Sequence, residues 1–195
     1  MNGVSAAAII GSGPKARRHA LDFYATPPEA TEALLQNVAL DGRVWEPACG
    51  DGAMARVIEA HGYQVVGTDI EPRGYGMALD FLRARSLLGD SIVTNPPFSR
   101  AYAFAEHALR LKPRLVALLL KSQFWHAVSR LGMFTRWPPA EILALTWRPD
   151  FDGRGAPTMD LIWTVWRDGC RGPTIYRPVP KPALRAQLAL LPKEE

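Results

Sequence analysis

Residues 115–120 read Leu-Val-Ala-Leu-Leu-Leu, with no polar side chain for either face of a strand. Successive strand side chains point to opposite faces, so this strand needs cover on both sides. Central strands of parallel sheets, with helices above and below, have this composition. The run is far shorter than the ~20 residues of a membrane helix. Around it, helical and strand patterns alternate. Ala30, Ala33, Leu34 and Val38 mark one helical face. Residues 52–61, 102–111 and 125–134 read as further helices. Residues 43–48, 64–70, 78–82 (very short), 91–95, 142–147 and 161–166 read as strands. The connection at 148–159 is rich in Gly and Pro and too irregular for a helical crossover, so the last two strands are expected to pair antiparallel. The expected fold class is α/β, a three-layer sandwich whose mostly parallel central sheet has an antiparallel strand near the C-terminus.

A chain of 195 residues suits one domain with short arms. Residues 1–20 hold Lys15, Arg17, Arg18 and His19 without an acid and read as a basic N-terminal arm. Residues 21–168 carry the α/β pattern, and 169–195 read as a Pro-rich basic tail, docked or loose. The formal net charge of +4 permits a nucleic-acid partner without establishing one. A hydrophobic content of 48% excludes a largely disordered chain. Cys49 and Cys170 form neither a disulfide framework nor a zinc-ligand cluster, so no metal is expected and a reducing cytoplasm is the default location. The apolar stretch at 4–10 precedes its basic residues, the wrong order for a signal peptide.

Two Gly-rich stretches compete as ligand loops. Residues 11–16, GSGPKA, match a dinucleotide fingerprint on paper, but the acid at the required distance is Glu32, inside a helical pattern. Residues 44–52, VWEPACGDG, fit better, because they follow a strand and open a helix. Gly50 and Gly52 allow a tight bend and close approach to a ligand. Asp69 ends the next strand, where a carboxylate can accept from ribose hydroxyls. Glu46 and Asp51 would repel a pyrophosphate and suit a ligand with a cationic amine and sulfonium. Asp80 and Phe81 add an acceptor and an aromatic suited to an adenine ring. Thr26-Pro27-Pro28-Glu29 reads as a helix start in which Thr26 caps and Glu29 completes a capping box.

Thr94-Asn95-Pro96-Pro97-Phe98 closes the fourth major strand pattern. Pro96 and Pro97 fix the backbone and remove two N–H donors. Backbone carbonyls and the Asn95 side-chain oxygen then dominate, as an exocyclic amino group requires. Phe98 offers a face for a flipped base.

On these residues the chain resembles the S-adenosylmethionine-dependent amino-methyltransferases, specifically the DNA adenine-N6 methyltransferases. Residues 23–35 resemble that family's cofactor clasp, 46–52 its methionine loop, and 67–72 its ribose segment. Asp80-Phe81 resembles its adenine pair, and 95–98 (NPPF) its catalytic motif. Small phage and prophage methyltransferases are similar in size. The resemblance implies a Rossmann-like methyltransferase fold, S-adenosyl-L-methionine as cofactor, and DNA as partner in a bacterial cytoplasm. It implies that Tyr24, Thr26 and Pro27 close over the methionine end and that Glu46, Ala48, Gly50 and Asp51 line it. Asp69 would hold the ribose, Ile70 and Phe81 would pack the adenine, and Asp80 would meet its amino group. Asn95 and the Pro96 carbonyl, with Pro97 and Phe98, would bind the target; no metal and no covalent intermediate are implied.

Little chain remains for a separate recognition domain. The spare pieces are residues 122–137, 148–159 and the tail after 169, so limited or short-site specificity is expected, or discrimination carried by a second subunit, with a homodimer or separate specificity subunit as partner. Arg17, Arg18, Lys121, Arg148 and Arg154 are candidate nucleic-acid contacts, and Trp125 and Trp137 are candidates to meet bases. The alternatives are an RNA or protein-glutamine methyltransferase and an inactive subunit of a nucleic-acid-binding complex.

Overall fold

The structure is a computed structural model, and it describes residues 24–71 and 73–182. In chain order its elements begin with helix α1 (Pro28–Leu35), strand β1 (Val44–Glu46), α2 (Ala53–Ala60), β2 (Val65–Asp69) and β3 (Met77–Ala78). They continue with β4 (Ser91–Thr94), α3 (Ala101–Leu111), β5 (Leu115–Lys121), α4 (Leu131–Arg136), β6 (Glu141–Leu145), β7 (Leu161–Arg167) and β8 (Ile175–Val179). The eight strands form one sheet in the order β3-β2-β1-β4-β5-β7-β6-β8. Neighbours from β3 to β5 run parallel. β7 is antiparallel to both β5 and β6, and β8 is parallel to β6. The expected α/β architecture, with its antiparallel strand near the C-terminus, is therefore present.

β5 shows why the sheet sits in the middle. Leu115, Ala117 and Leu119 pack with Ala30, Leu34, Met54 and Ile58 of α1 and α2. Val116, Leu118 and Leu120 pack with Phe104, Ala108 and Leu109 of α3. The two-residue period of one strand divides the core into two layers. Fully burying each Leu is worth roughly 1.5–3 kcal/mol. Two indoles add fixed points: Trp163 Nε1–H on β7 donates to Ala30 O on α1 (2.8 Å), tying helix to sheet, and Trp45 Nε1–H on β1 donates to Thr68 Oγ1 on the neighbouring β2 (2.9 Å).

Four local expectations need correction. Thr26 makes no cap; Pro27 precedes α1 with no side-chain cap, and Glu29 instead lies 3.0 Å from Lys181 Nζ. The short third strand lies at Met77–Ala78, and Phe81–Arg83 is a 3-10 turn capped by Asp80, whose carboxylate accepts from Leu82 N–H. Residues 125–134 do not form one helix: two 3-10 turns, Ser122–Trp125 and Val128–Arg130, precede α4. Within the expected tail, Ile175–Val179 forms β8. Its alternation is hidden by Arg177 and Pro178, and an edge position tolerates the missing Pro178 donor.

Candidate active site

The sheet order reverses between β1 and β4, and the C-terminal ends of β1, β2 and β4 meet there. Open α/β sheets bind ligands at such a switch point. A cleft of about 340 Å³ occupies it. Glu46 ends β1, Asp69 ends β2, and Asn95 follows β4.

The loop from β1 to α2 is shaped by its glycines and by Asp69. Gly50 (φ 53°) and Gly52 (φ 84°) are left-handed, and a Cβ on Gly52 would fall on the Tyr75 ring. Gly50 N–H donates to Asp69 Oδ2 (2.8 Å), and Glu71 N–H donates to Asp69 Oδ1 (2.9 Å). Cys49 N–H reaches Thr68 O at 3.0 Å. Asp51 Oδ1 accepts from Ala53 N–H (3.0 Å) at the start of α2. Carboxylates thus ring a loop stiffened by backbone donors.

Glu46 is 2% exposed, and its Oε2 has no hydrogen-bond partner. Burial pushes its pKa well above the usual carboxylate range; an Ala55 N–H opposes this, while Asp69 and Asp51 add to it. Burial likewise pushes the Cys49 thiol up to about 12, so it is no ready nucleophile.

On the opposite wall, Asn95 Nδ2 donates to Thr26 Oγ1 (3.2 Å). Asn95 Oδ1 is buried and without a partner. The Pro97 carbonyl accepts from Arg100 N–H (2.8 Å) as the chain turns towards α3. The Phe98 ring lies 6.3 Å from Tyr24, centroid to centroid, and Lys121 Nζ stands 4.3 Å above it. Tyr24 in turn meets Phe151 edge-on at 5.8 Å.

Of the residues singled out in the sequence, Tyr24, Thr26, Glu46, Ala48, Asp51, Asp69, Ile70 and Asn95 line this cleft, as do Pro96, Pro97 and Phe98. Gly50 stands behind Asp69, bonded to it, and Pro27 precedes α1. Asp80 and Phe81 do not line it. Phe81 is 2% exposed, its ring closed in by Trp45, Phe104 and His107, and Asp80 is spent on the following turn. The core claimed this aromatic. Arg148 is bonded to Asp160 (2.7 Å), Arg154 is exposed on the same loop, and Arg17 and Arg18 lie outside the described residues. Trp125 stacks on Phe134 at 4.3 Å, and the Trp137 ring lies under Arg136 at 4.6 Å; both are half-buried against the α3 layer of the core.

Sequence reasoning missed Cys49, Met54, Glu71, Arg73, Ser99 and Arg100 as cleft residues. Glu71 and Arg73 follow Asp69 closely, and Arg100 follows Phe98 by two residues. Charges just after two motifs were the available signal. Among the described residues, no group of three His, Cys, Asp or Glu could hold a metal ion, and no helix is long and apolar enough to cross a membrane.

No protein-family model matches the chain. A type II methyltransferase of Thermus thermophilus is 34% identical over 113 residues, a match covering 50% of this chain and 26% of that enzyme. The chain thus spans about a quarter of that relative's length. Among solved structures, a Pyrococcus horikoshii protein described as a candidate RNA methyltransferase superposes with a TM-score of 0.57 at 13% identity, covering 80% of this chain and 90% of that one. A magnesium protoporphyrin IX methyltransferase of Synechocystis, solved with its methyl donor bound, gives 0.52 at 15% identity, covering 81% and 86%. The chain has the Rossmann-like fold of these methyltransferases and, over half its length, is 34% identical to a type II methyltransferase.

Proposed function

We propose that this chain transfers a methyl group from S-adenosyl-L-methionine to the N6 amino group of adenine in DNA, with the base flipped out of the helix. The observation that carries this reading is the buried, partnerless Asn95 Oδ1 beside Pro96 and Pro97, on a residue that lines a cleft rich in carboxylates. That cleft suits the cofactor. Glu46 Oε2 lacks a partner, and Asp51 and Asp69 share the cleft, so a ligand with an ammonium and a sulfonium group meets complementary charge. Tyr24 and Thr26 face the same space, and Ile70, 62% exposed, offers an apolar side to an adenine ring. Bound there, the cofactor supplies an electrophilic methyl carbon.

The residues of the chain do the rest. Asn95 Oδ1 and the Pro96 carbonyl accept the two amino hydrogens of the target and draw its nitrogen towards tetrahedral geometry. These contacts would aim the nitrogen lone pair at the methyl carbon the cofactor would supply, the sulfonium would leave as a neutral thioether, and the methylated nitrogen would lose one proton to solvent. Phe98 stacks on the flipped base, a contact worth roughly 1–3 kcal/mol. Target recognition falls to the 122–137 and 148–159 segments and the tail after 169, or to a second subunit.

The test is to express the chain and quantify methylated nucleosides in DNA and RNA by mass spectrometry. N6-methyladenine in DNA is expected. The same product in RNA alone moves the activity to an RNA substrate, and none in either overturns the reading. Asn95→Ala should lower kcat by about 10²-fold or more while leaving cofactor affinity within a few-fold, because the oxygen acts mainly in the transition state. Normal turnover by that variant would sink the mechanism.

A further inference from the structure

A side-chain amide has two faces of nearly equal shape, an oxygen that accepts and an NH2 that donates. Only one orientation of Asn95 presents the oxygen to a target amino group. Asn95 is held in that orientation by one side-chain contact, Nδ2–H to Thr26 Oγ1. Thr26 is 5% exposed and does not cap α1, so its hydroxyl is free for this contact. It is anchored from behind, because Trp163 Nε1–H fixes α1 to the sheet through Ala30 O. The result is a buried Oδ1 with no hydrogen-bond partner of its own, on a residue that lines the cleft.

We infer that Thr26 is a positioning residue that sets the orientation of the Asn95 amide and links it to cofactor occupancy; this rests on the proposed function. A hydroxyl has one proton and two lone pairs, so an unengaged Thr26 can serve either face of the amide. It becomes selective when its proton is drawn elsewhere, since only lone pairs then remain for Asn95. Thr26 lines the cleft, and the proposed cofactor brings one carboxylate into it. With that carboxylate accepting the Thr26 proton, Nδ2 must face Thr26 and Oδ1 must face the target. Coupling of this kind is reciprocal, so the target should also tighten cofactor binding.

The experiment measures binding and turnover in parallel. Fluorescence anisotropy of a labelled DNA duplex with an unpaired adenine reads target affinity without chemistry. S-adenosylhomocysteine, which carries the carboxylate, should tighten that affinity in the wild type by ~3–10-fold, the range of one net hydrogen bond. 5′-Methylthioadenosine, which lacks it, should not. Thr26→Val should abolish the enhancement and so raise KM for DNA in the cofactor-saturated enzyme by a similar factor, and Thr26→Ser should restore both. Undiminished enhancement in Thr26→Val, or a Thr26→Ser no better than Thr26→Val, overturns the inference. Should Thr26→Val not fold, the serine variant and the comparison of the two ligands on the wild type still decide it: equal enhancement by both ligands overturns it. A wild type that binds S-adenosylhomocysteine but methylates no nucleic acid is a failure of the proposed function instead.

Discussion

Asp69 accepts from Gly50 N–H through one oxygen and from Glu71 N–H through the other. It therefore holds the glycine loop against the end of β2 before any ligand arrives, and it also lines the cleft. Asp69→Ala should weaken S-adenosylmethionine binding about tenfold or more, from loss of a charge-assisted contact worth ~1.5–3 kcal/mol. It should also lower the melting temperature, because Gly50 N–H loses its acceptor. Calorimetry on a folded variant checks both effects, and unchanged affinity would remove Asp69 from the ligand site. Glu46 makes a pH prediction. Its folded pKa is raised, so between the ordinary carboxylate value of 4.5 and that higher value the folded protein holds a proton that the unfolded chain has released. Its contribution to stability is complete below the unfolded value and is lost as pH rises through the folded one. A cationic ligand beside Glu46 favours the carboxylate, so binding should release a proton and affinity should climb with pH across that window. Titrations in buffers of different ionisation enthalpy would detect the proton; Glu46→Gln should abolish its release. A wild type that releases none would separate Glu46 from the ligand's charge.

At the scale of elements, β8 is the piece with the clearest consequence. It hydrogen-bonds along β6 and buries Val179, while Arg177 Nη2 lies 2.9 Å from Glu141 Oε2. Lys181 reaches back to Glu29 on α1. Glu141 is 8% exposed, so its charge relies on Arg177 and on Arg167, 3.8 Å away. Arg177→Ala should cost about 1–3 kcal/mol, the penalty for a buried group losing a partner. Removing residues 169–195 should cost more, since β6 would then expose an unpaired edge. Urea unfolding of both variants gives the order, and a truncation as stable as the intact chain would make β8 dispensable.

Over the whole molecule, a formal charge of +4 is modest, so local placement of cations matters more than the total. Lys121 stands over Phe98 and forms no ion pair among the described residues. Under the proposed function, a base stacking on that face would displace the ammonium and leave it to meet a phosphate. The log–log salt slope of DNA affinity rises by about 0.9 for each phosphate neutralised. Lys121→Ala should therefore make it shallower by about one, and anisotropy titrations at several salt concentrations measure it. An unchanged slope would confine Lys121 to packing.

The sequence alone determined the sandwich, because an apolar run such as 115–120 is stable only between two helical layers, and the two-residue period assigns each side chain its layer. It also placed Glu46, Asp69 and Asn95 at strand ends, since a strand followed by a Gly or Pro turn ends where its pattern stops. Bringing those three strand ends together required the order of strands in the sheet, which pairs residues far apart in the chain. Phe81 illustrates the limit: its neighbours in sequence mark a ligand pair, yet Trp45, Phe104 and His107 close around the ring. Thr26 is the converse, a good capping residue whose hydroxyl is taken by Asn95, 69 positions away. Local propensity ranks what a residue can do beside its neighbours, and tertiary packing decides which partner reaches it first.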